Sequence, residues 1–129
     1  MALMPDVTVG WVAARGRLIA MQMTDISFGT IDWSSVPPTE QRGTAGVAYW
    51  RTVLCSGIRL RMVECHAGFV SDHWCTKGHI LLCLEGELLT ELDDGRTFVL
   101  TRGMSFQVAD DREPHRSSTR VGAKLFIVD

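Results

Sequence analysis

The residues of this chain best suited to chemistry are imidazoles and a thiol crowded into one stretch. All four histidines lie between positions 66 and 115, and His73, Cys75, His79 and His115 fall at spacings a metal site could use. On an extended strand, residues two apart project to the same face, so His73 and Cys75 offer two donors side by side. Gly78 permits a bend that would return the His79 imidazole over the same cavity. His115 sits in a different segment, behind Pro114, and can close the site only if a sheet curls on itself. Such a donor set suits borderline or soft divalent ions. Mg²⁺ and Ca²⁺, which prefer oxygen ligands, are poor partners, whereas Zn, Fe, Ni or Cu fit.

Cys75 decides between two outcomes. As a thiolate ligand it completes a tetrahedral shell of three histidines and one cysteine, which suits a structural zinc. Pointing elsewhere, it leaves three histidines and open coordination positions, the arrangement in which a metal acts on water or a chelating substrate. The other candidates carry plainer readings. His66, beside Cys65 and close to Gly68, reads as a non-ligand. Cys55, Cys65 and Cys83 read as small buried residues, Trp74 as a packing group, and Glu85 with Glu87 as a rim feature beside a turn.

The elements that must position these groups read as short strands separated by turn residues from residue 47 onward, the pattern of a sandwich or barrel. Residues 58–62 alternate apolar and charged, which predicts one buried and one wet face. Residues 80–84 form a continuous apolar run between Gly78 and Gly86, which predicts a strand buried on both faces. Residues 87–92 and 96–100 flank Asp93-Asp94-Gly95, where glycine can supply the positive φ of a tight hairpin. Strands over 104–108 and 121–128 follow. No stretch after residue 43 has amphipathic helical spacing, so the fold class is all-β. Upstream, residues 28–43 contain Pro37 and Pro38, which forbid a central strand or helix interior and predict an irregular arm with Phe28 and Trp33 as packing anchors. Residues 1–22 show neither period and are expected to be a poorly ordered extension, one account being an initiation codon placed too early. Residues 23–129 are expected to form a single barrel domain.

Composition bounds the partners. The chain has 129 residues, 46% of them apolar and 22% charged, enough to bury one core without disulfide staples. Net charge is −2 and the cations are scattered, so nothing suggests a nucleic-acid or anionic-membrane partner. Arg15 and Arg17 interrupt the apolar N-terminal stretch, which argues against a secretory signal, and no apolar run is long enough for a membrane span. The expected compartment is the cytoplasm, where the four cysteines stay reduced.

The residues also carry a family resemblance. The segment Gly68-Phe69-Val70-Ser71-Asp72-His73-Trp74-Cys75-Thr76-Lys77-Gly78-His79, continuing into Leu84-Glu85-Gly86-Glu87, resembles the first cupin motif. His73 matches that motif's first histidine, Cys75 stands where the second would be, and His79 where its glutamate would be. Residues 103–115 are similar to the second motif, with His115 matching its histidine, although the spacing is one residue longer and the internal proline and glycine are missing. The string Asp72-His73-Trp74-Cys75 resembles the DHCW-motif cupin-fold proteins, a likeness that runs from about Ile26 to Asp129 and includes Asp32-Trp33-Ser34-Ser35 and Tyr49-Trp50-Arg51. The resemblance implies a small double-sheet jelly-roll β-barrel, one metal at its mouth and a homodimer. It leaves two functions open: a metal-dependent enzyme acting on a small polar molecule in the barrel mouth, or a non-enzymatic binding or sensing domain with a structural metal. A third reading, a metal-free barrel working through dimer contacts, is the weakest.

Overall fold

A computed structural model describes residues 23–129 and, before them, the backbone of two short antiparallel strands, β1 (Val12–Ala14) and β2 (Arg17–Ile19). The expectation for residues 1–22 otherwise lies outside the described residues. Eight further strands follow: β3 (Thr39–Arg42), β4 (Val47–Cys55), β5 (Ile58–Cys65), β6 (His79–Leu92), β7 (Thr97–Thr101), β8 (Ser105–Val108), β9 (His115–Ser118) and β10 (Ala123–Val128). All pairings among them are antiparallel, and the described residues contain no α-helix, so the all-β expectation holds.

The long strand β6 belongs to two sheets. Its first half pairs with β10 and β8, extending a sheet that continues through β5 and β4 to β3. Its second half pairs with β7 on one side and β9 on the other. The change of direction falls at Gly86, whose φ of 79° is open to glycine and strained for other residues. A Cβ there would also sit 2.0 Å from the Gly122 carbonyl oxygen, so the backbone of the turn before β10 occupies the space of the missing side chain. Past this bend the two sheets face each other and enclose a core of Ala48, Val63, Cys65, Leu81, Cys83, Leu88, Leu100, Ala123, Leu125 and Ile127, with Phe69 from the connecting loop. The architecture is a double-sheet barrel of jelly-roll type. Fully burying each large apolar side chain contributes roughly 1.5–3 kcal/mol, so this core is the main source of stability.

The predicted hairpin is present. Glu87 to Glu91 of β6 pair with Thr101 to Thr97 of β7 around a turn in which Gly95 has φ 96°. Two strand faces differ from expectation. In β5 the charged side faces inward: Arg61 is 5% exposed, with Val63 and Cys65 on the same buried face, while Leu60 and Met62 are only half-buried. A guanidinium can lie inside because Asp129 neutralises it and Trp50 stacks against it, and neither partner is visible within the local pattern. Residues 80–84 alternate instead of being buried on both faces: Leu81 and Cys83 are buried, Leu82 and Leu84 half-buried, and Ile80 exposed. In the arm, Asp32 caps a 3-10 turn at Trp33–Ser35 by accepting from the Ser34 amide at 3.1 Å, and Trp33 packs edge-on against Phe126 of β10. Phe28 is 96% exposed, so it does not serve as the expected anchor; among the described residues, 24–32 make no strand pairing that would press it to the barrel. After the prolines the arm ends as β3, an edge strand.

Candidate metal centre

Three elements deliver the site. Cys75 lies in the loop between β5 and β6 and forms a bridge with His115 at the start of β9: the Cys75 amide donates to the His115 carbonyl at 2.7 Å, and the His115 amide donates back at 3.0 Å. Such a hydrogen-bonded antiparallel pair sets the two side chains beside each other on one face. His79 opens β6. Gly78 before it has no room for a side chain, since a Cβ would lie 2.5 Å from the Asp110 amide, and its own amide donates to Asp110 Oδ1 at 2.6 Å. Glycine thus serves close approach at this point.

The curl that the site requires is made by β6 itself. His79 begins the strand and Leu92, paired with His115, ends it. Drawn straight, a strand of 14 residues would hold these ends roughly 43 Å apart. Instead the His79 and His115 rings meet, with centroids 4.8 Å apart, planes at 86° and their Nε2 atoms separated by 3.0 Å. The ligand atoms of Cys75, His79 and His115 all lie within 4.8 Å of one another, with both histidines buried.

His73, the fourth expected ligand, is not in this group. The same-face argument presupposed an extended strand, but Asp72 and His73 form a bend, and Ser71 Oγ donates across it to the His73 carbonyl at 3.2 Å. The His73 side chain is 64% exposed, with Nδ1 2.7 Å from Asp72 Oδ1, and it reaches only the wall of the cavity behind the site. His66 is likewise remote, stacked on Tyr49 near Glu64. Trp74 is part-exposed beneath the Arg116 guanidinium, 4.5 Å from its ring centre, and all four cysteines are free thiols.

The electrostatics suit a cation. His115 Nδ1 lies 3.0 Å from the Glu113 carbonyl, so that nitrogen carries the hydrogen and donates, leaving the Nε2 lone pair toward His79. Burial pushes His79 down to about 4, assisted by His115 and Arg61, so its imidazole is neutral near pH 7. Its Nδ1 is buried without a hydrogen-bond partner, 3.8 Å from Asp129 Oδ2. Phe106 packs against both rings and keeps water from them. Contact with His115 lowers the Cys75 thiol below its ordinary value, and the same contact raises His115. The 3.0 Å gap between the two Nε2 atoms takes either the His79 hydrogen, donated to the His115 lone pair, or a metal ion that displaces it. Two nitrogens at about 2.0–2.1 Å from one tetrahedral ion stand about 3.3 Å apart, close to the 3.0 Å found here. The donor set therefore fits a borderline transition ion with few rearrangements.

No family model matches the chain, and no curated protein matches it by sequence. Many solved structures share its fold. Ectoine synthase from P. lautus superposes with a TM-score of 0.62 at 21% identity, over 78% of this chain and 76% of that one. A predicted oxalate decarboxylase from Thermotoga maritima gives 0.66 at 14% identity, over 78% and 96%. An Fe(II) complex of HppE gives 0.64 at 18% identity, over 81% and 62%. These neighbours are cupin jelly rolls, and the fold of this chain is theirs.

Proposed function

We propose that this protein is a metal-binding cupin-fold protein of the DHCW-motif group, in which Cys75, His79 and His115 hold one divalent transition ion (Zn, Fe, Ni or Cu). One coordination position is left for a small polar molecule, as in a metal-dependent enzyme. The observation that carries this reading is that the ligand atoms of Cys75, His79 and His115, and not that of His73, converge within 4.8 Å of one another. Three protein ligands are the mark of a site that keeps a position open. When bound there, an ion supplies Lewis acidity to whatever shares that position. The chain's own residues do the rest. The Glu113 carbonyl fixes the His115 tautomer, Phe106 excludes water, and the lowered Cys75 thiol offers the one negative ligand. That Fe(II)-bound HppE has this fold supports the reading by analogy.

A second reading, a binding or sensing domain with a closed structural centre, is favoured by one observation: His73 lines the same cavity and could complete a four-ligand shell by turning inward. The same proposal places the chain in the cytoplasm, where its four free thiols stay reduced, and pairs it with a second copy.

Cobalt substitution separates the two readings. The expected result is one ion per chain, a thiolate-to-metal charge-transfer band that disappears in Cys75→Ser, and affinity reduced by about 100-fold or more in His79→Ala or His115→Ala. His73→Ala should keep affinity within a few fold. Failure of the wild-type protein to hold cobalt overturns the metal proposal, and loss of binding in His73→Ala transfers support to the closed centre.

A further inference from the structure

One wall of the cavity behind the candidate centre is not used by metal binding. Arg61 of β5 lines it together with Cys75, His79 and His115 and apolar side chains such as Val63, Leu81 and Leu125; the other cation on the wall, Arg116, is already paired with Glu91 at 3.0 Å and stacked on Trp74. The guanidinium is held from two sides. Its carbon lies 4.6 Å from the centre of the Trp50 ring, and Nη2 donates to Asp129 Oδ2 at 2.9 Å. Its Nε is buried and has no acceptor. An unmet donor on a buried charged group costs about 1–3 kcal/mol, and native proteins carry few of them without a reason.

Charge points the same way. The Asp129 side chain is not reserved for Arg61, since Arg59 also donates to it at 2.8 and 2.9 Å. No carboxylate lines the cavity. A divalent ion with a single thiolate would add net positive charge to this wall. The space is small, about 110 Å³, and partly open, so the part of a ligand it receives has only a handful of heavy atoms.

Building on the metal reading above, we infer that the small molecule admitted to this site is a short-chain carboxylate whose charged end is received by Arg61. The guanidinium is a specificity-determining group: its unmet Nε–H is a donor for a carboxylate oxygen, its stacking on Trp50 and its bond to Asp129 fix it before the ligand arrives, and a neutral molecule of equal size gains no charge attraction from it.

The test uses acetate and glycolate, with acetamide as the uncharged twin of acetate, added to the metal-free and the cobalt-loaded full-length protein. Binding is followed by calorimetry and by the visible cobalt bands. Acetate and glycolate should bind at least about tenfold more tightly than acetamide, and that preference should vanish in Arg61→Met. Arg61→Met leaves Asp129 paired with Arg59, so it is expected to fold, and circular dichroism checks this. Should it fail to fold, the comparison of acetate with acetamide on the wild-type protein decides alone. Equal affinity for acetate and acetamide, or a preference that survives in Arg61→Met, overturns the inference while leaving cobalt binding intact. If cobalt is not held, the metal reading fails by itself, and the carboxylate preference of the metal-free protein still confirms or overturns the role of Arg61.

Discussion

His79 and His115 meet Nε2 to Nε2 at 3.0 Å, a contact closed by one imidazole hydrogen or by a metal ion, and the surrounding residues hold them to it. Glu113 fixes one tautomer and Phe106 removes water, while Asp129 lies behind His79 and also anchors Arg59 and Arg61. Burial works against the Asp129 charge, but the two arginines outweigh it and hold the carboxyl below its ordinary value. The unfolded chain would titrate it near 3.9. Its stabilising contribution is therefore complete above about pH 4 and is lost as pH falls through the lowered folded-state value. Asp129→Asn should lower stability near pH 7 by on the order of 3 kcal/mol, because Arg61 is left buried without its counter-ion. Below pH 4 the variant should show a shallower further loss than wild type. Urea denaturation across pH 2–7 checks both. At this scale the sequence revealed Cys75, His79 and His115 as ligand candidates, because donor chemistry is written in residue type. It misplaced His73, since a two-residue spacing has meaning only on a strand and Asp72 turns the chain into a bend. It also hid Arg61 and Asp129, whose pairing spans 68 positions.

Among the elements, β6 sets the terms. Its bend depends on Gly86 for two separable reasons, a positive φ and contact with Gly122. Gly95 in the β6–β7 turn has the first requirement without the second: its φ is 96° and nothing lies within 4 Å of where a Cβ would stand. Gly95→Ala is then expected to destabilise by about 1 kcal/mol from the backbone conformation alone, whereas Gly86→Ala should exceed it by about 2 kcal/mol or more, because carbonyl and turn must shift. Thermal or denaturant unfolding of the two variants measures the difference. The strands themselves were largely legible from alternation and turn residues. Which face turned inward was not legible in β5, where the inward row begins with an arginine that only long-range partners make tolerable.

Across the whole molecule, the core is closed without an ion. Its apolar residues pack between the sheets, some of them walling the cavity beside the centre, while the donors to an ion are Cys75, His79 and His115. The protein stripped by a chelator should therefore remain folded, with unchanged far-ultraviolet circular dichroism. Adding zinc at about 100 times its dissociation constant should raise stability by about 2.7 kcal/mol, reversibly. Cooperative unfolding on metal removal would contradict a core closed without the ion.

Because opposite ends of β6 are brought to the two sides of one imidazole pair, the distance between the nitrogens is geared to the angle between the sheets. A slight opening at Gly86, spread over the seven residues before it and the six after it, would be delivered almost whole to the rings at the far end, as the jaws of a pair of tongs respond to its pivot. Whatever grips the sheets from outside thereby acquires leverage over how tightly the jaws close.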